Sequence, residues 1–353
     1  MAPAQQGADR ATDRAIDRAL GALMGGALGD ALGMPTQTLS PREIKETFGR
    51  VTDFVAPRDD HPVSRGLPAG TVTDDTEQTL LLAKTLLASE GAFDDRRWVE
   101  VLVDWEADVK ARGSYDLLGP STKRAIDAIR SGVPPAEAGR YGDTNGAAMR
   151  AAPVGIIMPP EPLDGLIAKV AETCRATHNT SIAIASASAV AAAVSAGIGG
   201  TGWRGASALA VKAARHAGQH GHWAAGADIA TRIAWALKLV DGRDRDDALE
   251  QVIALVGTSV AAQESVPAAF AVLSLAEGDA WQAAVLGANL GGDTDTIGAI
   301  AAGMAGACGG FSTLPADKVS RLRGIDLGEV ETLVSALIDR RLGDQRQRMT
   351  AAS

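Results

Sequence analysis

Apolar positions along the chain recur at three- and four-residue spacing and rarely alternate. Between residues 15 and 32, Ile16, Ala19, Leu20, Leu23, Ala27 and Leu28 fall on one helical face. Gly33-Met34-Pro35 then ends the pattern, because glycine and proline break helices. The same spacing predicts a helix from Thr76 to about Ser89, another over 94–110 with Trp98, Val101, Leu102 and Trp105 inward, and one over 119–129. Further helices are expected over 168–177, 181–196, 206–217, 225–240, 246–256, 266–275, 279–290, 299–307 and 322–342. Residues 40–65 are polar and proline-bearing, so they read as a short helix and a surface loop, a natural lid or specificity element, with His61 solvated in it. The expected architecture is one all-α domain over 13–342, a disordered segment 1–12 and a polar tail 343–353.

Composition agrees with that architecture. Of 353 residues, 46% are hydrophobic and 40 are glycine, with few aromatics, so small side chains let helices approach closely. The net charge of −9 and the lack of a basic run argue against nucleic-acid binding. Cys174 and Cys308 offer no disulfide framework, which points to a reducing cytoplasm. No signal peptide is apparent. The uncharged stretch 181–198 is mostly Ala and Ser, too weakly apolar for a membrane span.

The chemistry gathers at Gly291-Gly292-Asp293-Thr294-Asp295-Thr296, just ahead of the predicted helix over 299–307. A helix cap needs one side-chain acceptor, and Asp or Thr could supply it there. Far upstream, Gly70-Thr71-Val72-Thr73-Asp74-Asp75-Thr76 repeats the pattern. Adjacent carboxylates exceed what a cap requires and repel each other unless a cation lies between them. Thr73, Asp74, Asp75, Asp293, Asp295 and Thr296 are hard oxygen donors, suited to Mg²⁺, Mn²⁺ or Ca²⁺. Converging on one site, they would suit a pair of such ions. Asp30, near the end of an apolar helix, reads either as a buried hydrogen-bond hub or as a partner of that centre. Asp116 is either a surface acid or a general base. The turn Gly142–Arg150, with Asn145, Gly146 and Met149, either is an ordinary turn or lets a ligand approach the backbone. His178 is either a buried bonded imidazole or a ligand contact. His216, His220 and His222 are interrupted by glycines and read as a solvated turn.

With these segments in hand, the chain resembles the ADP-ribosylglycohydrolase family. The resemblance runs from about residue 19 to 310. It rests on Gly29-Asp30-Ala31-Leu32-Gly33, Thr73-Asp74-Asp75-Thr76, Asn145–Arg150, Thr177-His178 and Gly291–Thr296, in family order. It implies a compact orthogonal all-α fold around a dinuclear Mg²⁺ or Mn²⁺ site held by the six oxygen donors named above. It also implies hydrolysis of the C1″ glycosidic bond of ADP-ribose conjugates, with Asp74, Asp75 or Asp295 as base. Asn145, Gly146 and Met149 match the loop on the ribose and phosphate side, His178 the family's active-site histidine, and Asp116 lies near a carboxylate proposed as base in some members. Two departures fall where substrate is held: Gln37 stands where many members carry an acid, and Asn179-Thr180 follow the Thr-His pair. Alternatives are hydrolysis of a small ribosyl compound on the same metals, or a non-catalytic ADP-ribose-binding relative. The expected partner is an ADP-ribosylated protein or small riboside, met by a cytoplasmic monomer.

Overall fold

In the computed structural model of the protein, residues 3–89, 92–114 and 118–351 are described. The helices run α1 (Pro3–Gly33), α2 (Pro41–Phe48), α3 (Asp74–Ala88), α4 (Asp95–Ala111), α5 (Pro120–Arg130), α6 (Pro135–Ala138), α7 (Gly146–Met149), α8 (Ala152–Ile157) and α9 (Leu163–Cys174). They continue as α10 (Ser181–Ile198), α11 (Trp203–Ala217), α12 (Ile229–Val240), α13 (Arg245–Gln251), α14 (Ala262–Leu275), α15 (Ala280–Gly287), α16 (Thr294–Gly309), α17 (Ala316–Val319) and α18 (Leu327–Ala351). Among the described residues there is no strand, only three isolated bridges. The expected all-α class is what is found.

The centre is built from α1, α10 and α16. Every residue of α10 from Ile182 to Ile198 is buried, as is every residue of α16 from Thr294 to Ala307. The pairing of α1 with α16 is the most extensive in the molecule. Its cause is a row of glycines four residues apart, Gly21, Gly25, Gly29 and Gly33, which lie on one helical face. A Cβ on Gly25 would stand 2.6 Å from the Ala302 carbonyl, and one on Gly33 2.5 Å from Asp295 Cα. Without side chains the backbones touch, and that contact brings Asp30 of α1 to the level of Asp295 of α16.

The boundaries of the sequence reading shift. The expected breaks near 12 and 343 do not interrupt the helices, since α1 is helical from Pro3 and α18 continues to Ala351. Helix α8 was not expected, because Pro153 and the Pro159-Pro160 pair mask it; Pro153 is tolerated in its first turn. The stretch expected as one helix over 246–256 ends as a π-helical turn, Val252–Val256. By length and composition Ser181–Ile198 could cross a bilayer, contrary to the expectation, but 94% of it is buried inside the protein.

His61 is not solvated as expected. It is buried, and its Nδ1 accepts from the Ser64 N–H at 2.9 Å and the Val63 N–H at 3.2 Å. With Nδ1 so occupied, Nε2–H donates to the Gln37 carbonyl at 2.9 Å. The ring thus pins the 58–67 segment to the end of α1, through partners that no local sequence pattern reveals.

Candidate active site

The two acidic segments meet. Thr296 Oγ1 donates to Asp75 Oδ2 at 3.2 Å across 221 positions of sequence. Both segments start helices, yet neither uses its own N-cap side chain: Thr73 and Asp293 make no capping hydrogen bond. At α3 the task falls to Asp30, which is fully buried and accepts from four donors. Its Oδ2 takes the Thr73 N–H at 2.9 Å, the Thr76 N–H at 3.1 Å and the Thr76 hydroxyl at 2.5 Å, while Oδ1 takes the Thr73 hydroxyl at 2.7 Å. A borrowed cap frees Asp74 and Asp75 from backbone duty. The turn into α16 is made by Gly291 and Gly292, both near φ +78°, a region glycine enters without strain.

Burial and crowding shape the acids. Asp75 is pushed well above the usual carboxylate range, first by burial and then by the charges of Asp74, Asp295, Asp30 and Asp293 around it. Burial raises Asp293 to about 6 against the hydrogen bond from Asn145, and raises Asp30 to about 6 against its four donors. Asn145 Nδ2 donates both to Asp293 Oδ2 and to Ser265 Oγ, so α7 and α14 together fix that carboxylate.

These groups open onto a cleft of about 270 Å³. Asp74, Asp293, Asp295, Thr296, Gln37, Asn145, Gly146 and Met149 of the predicted set line it. Asp75 sits behind them, against a small apolar cavity of about 30 Å³ that belongs to the core. Thr73 is buried too, held by Asp30, and is not among the residues that line the cleft. His178 is fully buried and meets the cleft through residues that line it, Thr144 at its Nε2 and Arg150 at its Nδ1. Asp116 lies outside the described residues.

Among the described residues no three His, Cys, Asp or Glu groups already stand close enough to grip an ion. The donor set nonetheless fits hard divalent cations, being carboxylate and hydroxyl oxygen throughout. Asp75 Oδ1 is buried with no hydrogen-bond partner. A buried carboxylate oxygen without a donor is costly, and a cation is the partner that also relieves the repulsion of its four acidic neighbours.

A sequence model of the ADP-ribosylglycohydrolase family matches residues 11–348. The chain belongs to the ADP-ribosylglycohydrolase family. It is 38% identical over 283 residues to the uncharacterized protein YegU of Escherichia coli (strain K12), covering 80% of this chain and 84% of that one. It is 33% identical over 279 residues to an uncharacterized protein of Archaeoglobus fulgidus, covering 78% and 83%. Among solved structures, an ADP-ribosylglycohydrolase-related protein complex superposes with a TM-score of 0.67 at 28% identity, over 93% of this chain and 99% of that one. Membership in the ADP-ribosylglycohydrolase family supports a glycosidic-bond hydrolase, and the family is generally metal-dependent.

Within this ADP-ribosylglycohydrolase fold, six polar residues that line the cleft went without a role in the sequence reading: Thr38, Gln78, Thr122, Lys123, Thr144 and Arg150. Gln78 donates to Asp74 Oδ2 at 3.0 Å, one helical turn along α3, a spacing that was available as a signal. Arg150, buried over the Trp98 ring, holds Gln78, and Thr144 and Lys123 line the cleft. Arg150 follows a run of small residues where nothing local reveals a buried cation.

Proposed function

We propose that the protein is an ADP-ribosyl-acceptor hydrolase. It cleaves the C1″ glycosidic bond of ADP-ribose conjugates, with two Mg²⁺ or Mn²⁺ ions bound by Thr73, Asp74, Asp75, Asp293, Asp295 and Thr296. The observation that carries this reading is the meeting of two acidic helix starts at one cleft, with an unpartnered buried oxygen on Asp75. When bound, the ion pair supplies Lewis acidity that orients a ribose diol and acidifies a water.

The chain supplies the rest. Asp74, Asp75 or Asp295 takes the proton of the attacking water, and the neighbouring carboxylates stabilise positive charge developing at C1″. Asn145 steadies Asp293. Gln37 cannot titrate. Ser64 Oγ donates to the Met34 carbonyl at 3.0 Å and so must accept from Gln37 Nε2 at 2.9 Å, which leaves the side-chain amide oxygen of Gln37, Oε1, for a ligand donor. A neutral residue there also favours a second reading, hydrolysis of a small riboside whose leaving group needs no acid at that position. We place the enzyme in the cytoplasm as a monomer, where Cys174 and Cys308, both unpaired, stay reduced.

The test is incubation of an ADP-ribosylated peptide with the enzyme and Mn²⁺, read by mass spectrometry for free ADP-ribose, beside a panel of ribosides. Wild type should release it, while Asp293→Ala and Asp295→Ala should lose turnover and keep the helical circular-dichroism spectrum. Full turnover in either variant would end the metal-site reading. Turnover of ribosides alone would select the second substrate class.

A further inference from the structure

Arginine carries five N–H donors and no acceptor, so a buried arginine fixes the direction of every hydrogen bond that leads away from it. Arg150 is buried and starts two such chains. In one, Nη1 donates to Gln78 Oε1 at 3.0 Å, which turns the amide nitrogen of Gln78 towards Asp74 Oδ2, also at 3.0 Å. The Asp74 oxygen there is an acceptor.

In the other, Nη2 donates to Thr177 Oγ1 at 3.0 Å. The Thr177 hydroxyl therefore has its own proton to give, and His178 Nδ1 lies 2.8 Å away. Arg150 Nη2 also faces that nitrogen at 3.3 Å. A proton on Nδ1 would set donor against donor, so Nδ1 accepts and the proton of the neutral ring sits on Nε2. Burial and the Arg150 charge both push His178 well below its ordinary range, which keeps the ring neutral near pH 7. Nε2–H then donates to Thr144 Oγ1 at 3.1 Å. Gly146 leaves room for this geometry, since a Cβ there would stand 3.0 Å from His178 Cε1.

Thr144 lines the cleft, and His178 is the only partner found for its hydroxyl among the described residues. That hydroxyl accepts one hydrogen bond from the ring and keeps its own proton to give. We propose that Thr144 is a substrate-binding donor, oriented by Arg150 through Thr177 and His178, and that it gives its proton to a lone-pair acceptor of the substrate in the cleft. Arg150 is the positioning residue, and it orders two groups that line the cleft, Asp74 through Gln78 and Thr144 through Thr177 and His178. This deepens the proposed function and rests on the cleft being the substrate site.

One readout needs no ligand. Full-length protein with ¹⁵N-labelled histidine, the His178 signals assigned by their loss in His178→Gln, should show a neutral ring protonated on Nε2. A ring protonated on Nδ1 overturns the proposal. Arg150→Gln, whose side chain can either donate or accept, should admit the second tautomer. The binding readout is calorimetry with free ADP-ribose and Mg²⁺. Thr144→Val should bind about tenfold more weakly, the loss of one hydrogen bond to a polar ligand, while Thr144→Ser stays within about twofold of wild type. Equal binding by Val and wild type overturns the proposal. Failure of wild type to bind ADP-ribose counts against the proposed function instead, and the tautomer readout then decides this inference.

Discussion

The borrowed cap allows a sharp experiment on Asp30. Four donors converge on its carboxylate: two backbone N–H groups, which cannot turn, and two hydroxyls, which can. Asp30→Ala leaves all four without a partner in a fully buried site. Losing the cap costs about 1 kcal/mol, and each stranded polar group adds about 1 kcal/mol or more, so a loss of about 3 kcal/mol is expected. Asp30→Asn behaves differently. With the amide nitrogen at the Oδ1 position, the remaining oxygen still takes both N–H groups and the Thr76 hydroxyl. The Thr73 hydroxyl must reverse from donor to acceptor, and the Thr73 N–H keeps Oδ2 while losing the second acceptor it has in Oδ1 at 3.1 Å. The apo fold should then lose under about 1 kcal/mol, because one acidic charge also leaves a crowded cluster. In the proposed centre, however, Thr73 would hold an ion through a hydroxyl lone pair, and the reversed hydroxyl would be less able to do so. A change behind a metal ligand typically weakens binding about 10- to 100-fold. Thermal melts of the apo variants and a Mn²⁺ titration followed by electron paramagnetic resonance measure the two effects separately. Wild-type Mn²⁺ affinity in Asp30→Asn, or a stability loss equal to that of Asp30→Ala, would refute the reasoning.

Three further outcomes follow from the geometry. Asp293, raised to about 6, and Asp75, raised well above the usual carboxylate range, favour the protonated folded form, so their contribution to apo stability is fully present below the unfolded value near 4 and is lost as pH rises through about 6. Since ions bind the deprotonated acids, the gain in melting temperature on adding Mn²⁺ should be small at about pH 5 and larger at about pH 7.5; the reverse order would contradict this. Gly33→Ala would press a methyl group onto the Asp295 backbone, costing about 1–3 kcal/mol in urea unfolding and moving a proposed ligand, so turnover should fall with stability. His61→Ala removes three backbone partners and should speed amide exchange at Val63 and Ser64 while exchange in α16 is unchanged.

Helices and acids were legible for different reasons. The 3.6-residue period marks most of the helices, and the two acidic segments stand out because their carboxylates outnumber any capping need. What remained hidden depends on which face meets which. The spacing of Gly21, Gly25, Gly29 and Gly33 is plain in the sequence, but that α16 fills the row is a property of the fold. Asp30 as the cap of a helix that starts 44 residues later, and Arg150 as the anchor of Gln78, depend on the same tertiary placement. His61 looked like any loop histidine because its three partners are backbone atoms. Asp116, expected near the substrate, lies outside the described residues.

The row of glycines on the first helix has a bearing on protein engineering. Exchanging a helical glycine for alanine is a common route to heat resistance, worth about 1 kcal/mol at an open position. At 21, 25, 29 and 33 the added methyl would run into the opposing chain. That keel tolerates no widening, so a directed-evolution library does better to hold it constant and draw its diversity from the outer helices.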